Sequence, residues 1–185
     1  MNRRRPHEVR LIGGRLKRSR LPVADAPGLR PTPDRVRETL FNWLGRDLTG
    51  WRCLDAFAGS GALGFEAASR GASEVVLLER DPALVHSLRA SRIRLGVETL
   101  RVEQADALAW MAMSPQARFE LVMLDPPFDA GWIDAAIGAA AGIVVPGGFV
   151  YAESGAPPIR RPATLECWRE SRAGQVHFRL LRRSG

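Results

Sequence analysis

The stretch LDAFAGSGALG, residues 54–64, decides the expected fold of this chain. It opens with the end of an apolar run and continues as G-x-G-x-x-G through Gly59, Gly61 and Gly64. Glycines between a strand and a helix let the backbone approach a bound nucleotide closely. The stretch therefore predicts a nucleotide-binding turn, and the alternative is a tight turn that holds no ligand.

On the C-terminal side of this turn, short apolar runs alternate with helical segments. The expected strands are CLDAF (53–57), VVLLE (75–79), LRVEQ (100–104), ELVML (120–124) and GGFVYAE (147–153). The expected helices are 61–70, 82–95, 106–113 and 131–141. Repeated strand and helix units form parallel sheets. The runs TLECWRE (164–170) and QVHFRLL (175–181), separated by SRAG, predict an antiparallel hairpin. We expect an α/β, Rossmann-like fold whose open, mainly parallel sheet has seven strands, helices on both faces and a C-terminal hairpin.

The N-terminal region has a different character. EVRLI (8–12) and RLKRSRL (15–21) flank Gly13 and Gly14, which predicts a basic β-hairpin in which glycine supplies the positive φ of the turn. A Pro-rich stretch, 22–33, then leads to a helix that Thr32 is placed to cap. We therefore expect a hairpin and linker over residues 1–30 and the main domain over 31–185.

Charge is distributed unevenly along the chain. Residues 1–30 hold nine Arg or Lys against two acids, and residues 157–185 hold seven Arg against two acids. The middle, 31–156, holds 11 basic and 16 acidic residues. Basic termini suit a polyanion, because phosphate neutralisation supplies most sequence-independent affinity for nucleic acids. A solvated basic tail is the alternative.

Composition narrows the class of protein. No apolar run approaches the roughly 18 residues that cross a bilayer, and the N-terminus is charged, so we expect a cytoplasmic protein without membrane contact. The two cysteines, Cys53 and Cys167, lie far apart in the sequence and lack the spacing of metal ligands. Neither a disulfide framework nor a metal site is expected.

Carboxylates at strand ends suggest which nucleotide is bound. Glu79 ends the second expected strand, where it can accept hydrogen bonds from ribose hydroxyls. Asp55, four residues before Gly59, suits a cation and would repel a pyrophosphate. S-adenosylmethionine carries a sulfonium and an ammonium group, so Asp55 favours this methyl donor over NAD. Asp106 can accept from an adenine amino group, although it can equally be a helix N-cap.

The motif DPPF, Asp125 to Phe128, follows the fourth expected strand. It therefore lies at the carboxyl edge of the sheet, where open α/β folds bind ligands. The Asp125 carboxylate and the Pro126 carbonyl can each accept one N–H of an exocyclic amine, which turns the nitrogen lone pair towards a methyl donor. Phe128 offers a stacking face for an extruded base. The alternative is a rigid turn with a core phenylalanine.

At these residues the chain resembles the class I amino-methyltransferases, and among them the RsmD family of bacterial 16S ribosomal RNA guanine-N2 methyltransferases. The resemblance covers nearly the whole chain. Its landmarks are IGG (12–14), RPTPDRVRETLFNWL (30–44), LDAFAGSGALGFEAASRG (54–71), LDPPF (124–128) and AGQVHFRLL (173–181). The second and last are specific to the family, because the glycine loop and DPPF also occur in DNA adenine methyltransferases.

The resemblance implies roles for individual residues. Those expected at the methyl donor are Asp55, Phe57, Ala58, Gly59, Gly61, Glu79, Arg80, Asp106 and Ala107. Those expected at the target guanine are Asp125, Pro126, Pro127 and Phe128. The basic residues expected to contact RNA are Arg15, Lys17, Arg18, Arg20, Arg30 and Arg35. The turn and helix start that hold Arg30, Thr32, Arg35 and Arg37 can contact RNA phosphate or cover the donor, and Arg35 and Arg37 can equally pair with Asp34 or Glu38 on a solvated helix. Among the tryptophans, Trp43 and Trp132 are the best candidates for a role beyond packing.

The resemblance also implies a substrate, and the chain departs from the family at one point. The expected partner is 16S rRNA in a small-subunit assembly intermediate with ribosomal proteins, bound by a monomer. Relatives have a basic-Gly-Arg run after the glycine pair, and Lys17-Arg18-Ser19-Arg20 lacks that glycine. Three other functions stay open: an adenine-N6 methyltransferase of DNA or RNA, an NAD-dependent dehydrogenase, and a non-catalytic RNA-binding factor.

Overall fold

A computed structural model describes residues 8–24, 31–127, 131–155 and 160–185. The strands are β1 (Glu8–Arg10), β2 (Arg20–Pro22), β3 (Arg52–Asp55), β4 (Glu74–Glu79), β5 (Leu100–Gln104), β6 (Phe119–Leu124), β7 (Val144–Ser154), β8 (Leu165–Ala173) and β9 (Val176–Arg183). The helices are α1 (Asp34–Trp43), α2 (Ala62–Ser69), α3 (Pro82–Leu95), α4 (Ala107–Met113) and α5 (Ile133–Ile143). None of the helices within these ranges has the length and apolar character needed to span a membrane.

The main sheet has seven strands in the order β5-β4-β3-β6-β7-β9-β8. The first five positions are parallel, and β9 and β8 add an antiparallel hairpin at one edge. The predicted α/β sheet is therefore confirmed. The turn of the hairpin is shorter than expected, because Ser171 to Ala173 stay paired in β8 and Gly174, with φ 61°, reverses the chain.

Helices cover both faces of the sheet, as predicted. On one face the core contains Val36 and Leu40 of α1, Phe65 of α2 and Leu88 of α3. On the other face a second core contains the apolar side chains of α4 and α5, including Met111 and Ile137. Alternate strand residues point into the two cores, so both faces of each central strand are buried, as the continuous apolar runs indicate.

The strand order places a crevice at the centre of the sheet. From β3 the chain winds outward through β4 to β5, and it then returns to add β6 on the other side of β3. Open α/β sheets bind ligands at such a reversal, at the carboxyl ends of the strands. Asp55 is the last residue of β3 and Asp125 directly follows β6, so the two carboxylates flank this point.

The small N-terminal hairpin is present, and Gly14 begins its turn, because the Gly14 carbonyl accepts from the Lys17 amide at 3.2 Å. β1 and β2 pair through Val9 and Leu21, and the chain reverses after the glycines, with Arg18 at a left-handed φ of 73°. Gly14 has φ 71°, and a Cβ there would lie 1.8 Å from the carbonyl oxygen of Ser69 at the end of α2. The glycine is thus needed for close docking against α2 as well as for its own backbone angle.

The start of α1 also differs from expectation. Pro33 occupies the N-cap position, and the helix has no side-chain cap. Thr32 is buried, and its hydroxyl donates to Oδ2 of Asp125 at 2.9 Å. The predicted capping role of Thr32 is therefore wrong, because the hydroxyl is used in a contact that spans 93 residues of sequence.

Candidate active site

A cleft of about 290 Å³ opens at the carboxyl edge between the two halves of the sheet. It is lined by turns that follow β3, β4, β5 and β6, and by the segment that precedes α1. Its lining contains eight of the nine residues expected at the donor, namely Asp55, Phe57, Ala58, Gly59, Glu79, Arg80, Asp106 and Ala107. Asp125, Pro126 and Pro127 line the same cleft.

The ninth residue, Gly61, does not line the cleft but lies where the glycine loop packs against α3. It is the N-cap of α2 at φ 80°, and a Cβ there would lie 2.7 Å from a methyl carbon of Leu88. A Cβ on Gly64 would similarly lie 2.7 Å from Leu77. These two glycines allow the helix to pack tightly on the sheet, whereas Gly59 lies at the cleft.

Glu79 organises the loops on both sides of the cleft. Its Oε2 accepts from the Gly59 amide at 3.0 Å, and its Oε1 accepts from the amides of Arg80 and Asp81 at 2.8 and 2.9 Å. A carboxylate offers about four lone-pair positions, so these three bonds leave about one for a ribose hydroxyl. The side chain expected to bind a ligand is thereby also the one that shapes the binding loop.

Asp55 is a buried carboxyl group whose two oxygens have different surroundings. Oδ2 accepts from the Gly64 amide at 2.9 Å, while Oδ1 has no well-formed hydrogen-bond partner among the described residues. Burial raises the pKa of Asp55 to about 7, and the charges of Asp125 and Glu79 add to this rise. A cation bound in the cleft would favour the ionised form of this carboxyl and interact with its unpaired oxygen. S-adenosylmethionine supplies such charges in its sulfonium and ammonium groups. The residues present therefore fit this methyl donor.

Two further residues complete the donor side. Asp106 is the N-cap of α4, where its Oδ1 accepts from the Ala109 amide at 2.9 Å. It also lines the cleft, so a capping role and a role at the donor are both compatible with its position. Trp132 also lines the cleft, between the Arg80 guanidinium at 5.3 Å and the Phe57 ring at 6.4 Å. Trp43, the other tryptophan singled out from sequence, stacks on Phe178 in the core.

The Asp125 motif forms the opposite wall. Asp125 is half-buried, Pro126 is buried and Pro127 is exposed, whereas Phe128 lies outside the described residues. Burial raises the pKa of Asp125 to about 6, and the hydrogen bond from Thr32 opposes this rise. At neutral pH the carboxyl is therefore largely ionised and able to accept an N–H.

None of the described residues that are expected to contact RNA lines the cleft. Those that the structure describes, all exposed, are Arg15, Lys17, Arg18, Arg20 and Arg35. Arg30 lies outside the described residues. Arg20 pairs with Glu8 at 2.8 Å, and its carbonyl accepts from Arg94 of α3, so the hairpin contacts the main domain at this point too.

Sequence reasoning missed a buried ionic cluster beneath the hairpin. Arg37 is fully buried, which is at odds with both an RNA contact and a solvated helix face; it pairs with Asp34 and with buried Glu66. Glu66 also accepts from the amides of Ile12 and Gly13 and from Arg70. The available signal was a lone acid within the small and apolar run ALGFEAAS of α2.

The fold and the cleft define a class I, Rossmann-like methyltransferase. The family model described as conserved hypothetical protein 95 matches residues 9–182. Ribosomal RNA small subunit methyltransferase D of Escherichia coli (strain K12) is 41% identical over 182 residues, which cover 95% of this chain and 90% of the relative. The chain belongs to this RsmD family.

Solved structures agree with this assignment. The yhhF protein of Escherichia coli has a TM-score of 0.87 and 40% identity, with 97% of this chain and 99% of that chain covered. A Thermus thermophilus 16S rRNA N2 G1207 methyltransferase in complex with AdoMet and guanosine has a TM-score of 0.71 at 24% identity, covering 98% of this chain and 50% of that one. The second likeness supports the fold.

Proposed function

We propose that this protein transfers the methyl group of S-adenosylmethionine to the exocyclic N2 amine of one guanine in small-subunit ribosomal RNA. The observation that carries the proposal is the convergence of Asp55 and Asp125 on one cleft at the reversal point of the sheet. The first suits the cationic donor and the second suits the amine that accepts the methyl group. The name of the Escherichia coli relative supports ribosomal RNA as the substrate.

On the donor side, the protein supplies an acceptor-rich cleft. Bound S-adenosylmethionine supplies an electrophilic methyl group on a sulfonium. A cation gains most at Oδ1 of Asp55, because this oxygen is buried without a well-formed hydrogen-bond partner in the described part of the chain, while Oδ2 accepts from the Gly64 amide. Glu79 and Asp106 have acceptor capacity for the ribose and adenine groups, and Trp132 adds an aromatic wall.

On the acceptor side, Asp125 and the Pro126 carbonyl each accept one N–H of the guanine amine. Two acceptors pull the nitrogen lone pair out of conjugation with the ring and orient it towards the methyl group. As the N–C bond forms, the S–C bond breaks and its electron pair stays on sulfur. The nitrogen then loses one proton, to Asp125 or to water, and the Asp125 charge stabilises the cationic nitrogen before that loss.

The basic hairpin, within residues 1–30, is the proposed RNA contact, and residues 31–185 form the proposed catalytic domain. Arg15, Lys17 and Arg18 are exposed and suited to phosphate. We further propose that the protein acts as a cytoplasmic monomer on a small-subunit assembly intermediate that already carries ribosomal proteins. An adenine amine would need the same two acceptors, so the product decides between the bases.

The test is tritium transfer from labelled S-adenosylmethionine to small subunits isolated from a strain that lacks the protein, followed by nucleoside analysis. N2-methylguanosine is the expected product. Detection of N6-methyladenosine would show that the target base is adenine instead of guanine. The absence of label in RNA would refute the proposal. Asp125→Ala should abolish transfer and retain RNA binding, whereas Asp47→Ala, which removes an exposed loop carboxylate, is the matched control.

A further inference from the structure

The hydroxyl of Thr32 lies between the half-buried carboxyl group of Asp125 and the buried carboxyl group of Glu153. It donates to Oδ2 of Asp125 at 2.9 Å, and it is also a hydrogen-bond partner of Glu153 on β7. A hydroxyl has one proton, so it can donate to only one of these carboxyls at a time. The second contact is favourable when the other carboxyl is protonated and donates to the hydroxyl oxygen.

The surroundings of Glu153 favour its protonated form. The side chain is 2% exposed, and this burial outweighs the hydrogen bond that the Tyr151 hydroxyl donates to Oε1 at 2.7 Å, which by itself favours the ionised form. The carboxylates of Asp125, which follows the neighbouring strand β6, and of Asp55, at the end of β3, repel the ionised form of Glu153, while Phe178 is its register partner on β9. Burial, followed by the charge of Asp125, raises the pKa of Glu153 to about 8.

Cationic groups nearby are engaged with other partners. Arg179 donates to Ser154 and pairs with Glu170, and its register partner is Ala152, on the opposite face of the sheet from Glu153. Arg37 of α1 is occupied by the carboxylates of Asp34 and Glu66. Of the two carboxyls that share Thr32, Glu153 is the more deeply buried, since it is 2% exposed while Asp125 is half-buried, so Glu153 holds the extra proton.

The position of Thr32 is itself tightly determined. Arg37 donates from Nε to the carbonyl of Thr32 at 3.2 Å, and Arg37 is held by two carboxylates. Thr32 is also buried. The hydroxyl thus has a defined place between its two partners.

We propose that Thr32 and Glu153 are positioning residues for methyl transfer: protonated Glu153 donates to the Thr32 hydroxyl, which donates to Oδ2 of Asp125 and leaves Oδ1 for the target amine. This relay keeps Asp125 ionised, because its partner hydroxyl is committed to donating. It also fixes the carboxylate plane, on which the direction of the accepted N–H depends. The inference rests on the proposed function and deepens it.

Replacement of the hydroxyl tests the relay at constant side-chain shape. Thr32→Val should lower kcat about 100-fold, while KM for RNA and donor affinity stay near those of the wild type. Thr32→Ser should restore most of the rate. Thr39→Val is the matched control, because its hydroxyl donates to the Arg35 carbonyl within α1. A Thr32→Val enzyme with unchanged kcat would overturn the proposal.

The role of the Glu153 proton is tested by the pH profile of kcat at saturating donor. Loss of this proton above about pH 8 leaves two carboxylates competing for one hydroxyl, so the wild-type rate should decline there. Glu153→Ala should be slow at every pH. Glu153→Gln, whose amide can still donate to Thr32, should recover most of the neutral rate and lack the alkaline decline. An unaltered alkaline decline in Glu153→Gln would contradict the relay.

An infrared measurement separates this inference from the proposed function. A protonated carboxylic acid has a distinct C=O stretching band, and the Glu153 band should be present at pH 7, absent from Glu153→Gln and shifted in Thr32→Val. If the wild type methylates no RNA but shows this band, the proposed substrate is wrong and the hydrogen-bonded relay stands. If it methylates RNA and the band is missing, the relay is refuted alone.

Discussion

Replacing Asp55 by Asn should stabilise the ligand-free protein at alkaline pH while weakening its binding of the methyl donor. Asp55 is 1% exposed and its pKa is raised from the usual 3.8 to about 7. A raised carboxyl pKa means that the folded state holds the proton more tightly than the unfolded chain. The resulting stability is fully present below about pH 4 and is lost as pH rises to about 7.

The structure sets the size of this effect. A rise of about 3 pKa units corresponds to about 4 kcal/mol of lost stability at pH 8, at about 1.4 kcal/mol per unit. Asn removes the charge and its carbonyl can still accept from the Gly64 amide, but its NH₂ group lacks an obvious partner. An unsatisfied buried donor costs roughly 1–3 kcal/mol. The net gain expected for Asp55→Asn at pH 8 is therefore about 2 kcal/mol.

Urea unfolding at pH 8 and pH 5 measures this gain. At pH 5 only about a third of the ionisation penalty is present, so the advantage of Asp55→Asn should vanish or reverse. Asp106→Asn is the matched control, since its side chain is exposed and Asn caps a helix as well as Asp. Equal destabilisation by Asp55→Asn at both pH values would refute the electrostatic reasoning. Calorimetric titration with S-adenosylmethionine should show weaker donor binding in this variant.

Three further changes probe the hairpin. Gly14→Ala should lower the free energy of unfolding by about 3 kcal/mol or more, because the added Cβ would lie 1.8 Å from the Ser69 carbonyl oxygen. Gly45→Ala is the control, and it should cost about 1 kcal/mol because the space around Gly45 is open. Arg18→Gly should raise the free energy of unfolding by about 0.5–1 kcal/mol, because Arg18 has a left-handed φ of 73° that glycine adopts without steric cost. A loss of stability in the same denaturation assay would contradict this reasoning. Combined Arg18→Ala and Arg20→Ala should lower RNA affinity and flatten its salt dependence at unchanged donor affinity, and an unaltered salt slope would remove the hairpin from the RNA site.

The elements of the main domain were predictable because their signals are local. The run LRVEQ became β5 with its expected bounds, and the helix 82–95 matches α3 residue for residue. Asp81 caps this helix and Gly96 ends it at φ 61°, so both ends are encoded in adjacent residues. The cleft was predictable for a related reason: Asp55 and Asp125 end strands that the Rossmann-like order brings together.

The contacts that complete the site were not predictable, because they join distant segments through buried polar groups. Thr32 precedes a helix, and its sequence signature is that of a cap. Its use by Asp125 depends on how α1 packs over β6, which no local pattern specifies. Arg37 likewise has the spacing of a surface ion pair, and only the docking of the hairpin over Glu66 buries it.

The grouping of Asp55, Asp125 and Glu153 under one cleft has an energetic consequence for the enzyme as a whole. Burial raises the pKa of each carboxyl, so the ligand-free fold loses stability as pH rises from about 4, and the loss is complete at about pH 6 for Asp125, pH 7 for Asp55 and pH 8 for Glu153. A bound cation favours the ionised form of Asp55 and removes part of that cost. Donor binding should consequently release a proton at about pH 6, and it should raise the unfolding temperature more at pH 8 than at pH 6. The same buried charge that weakens the empty protein thus provides affinity for a sulfonium, which explains why a carboxyl with one unpaired oxygen is retained at the end of β3.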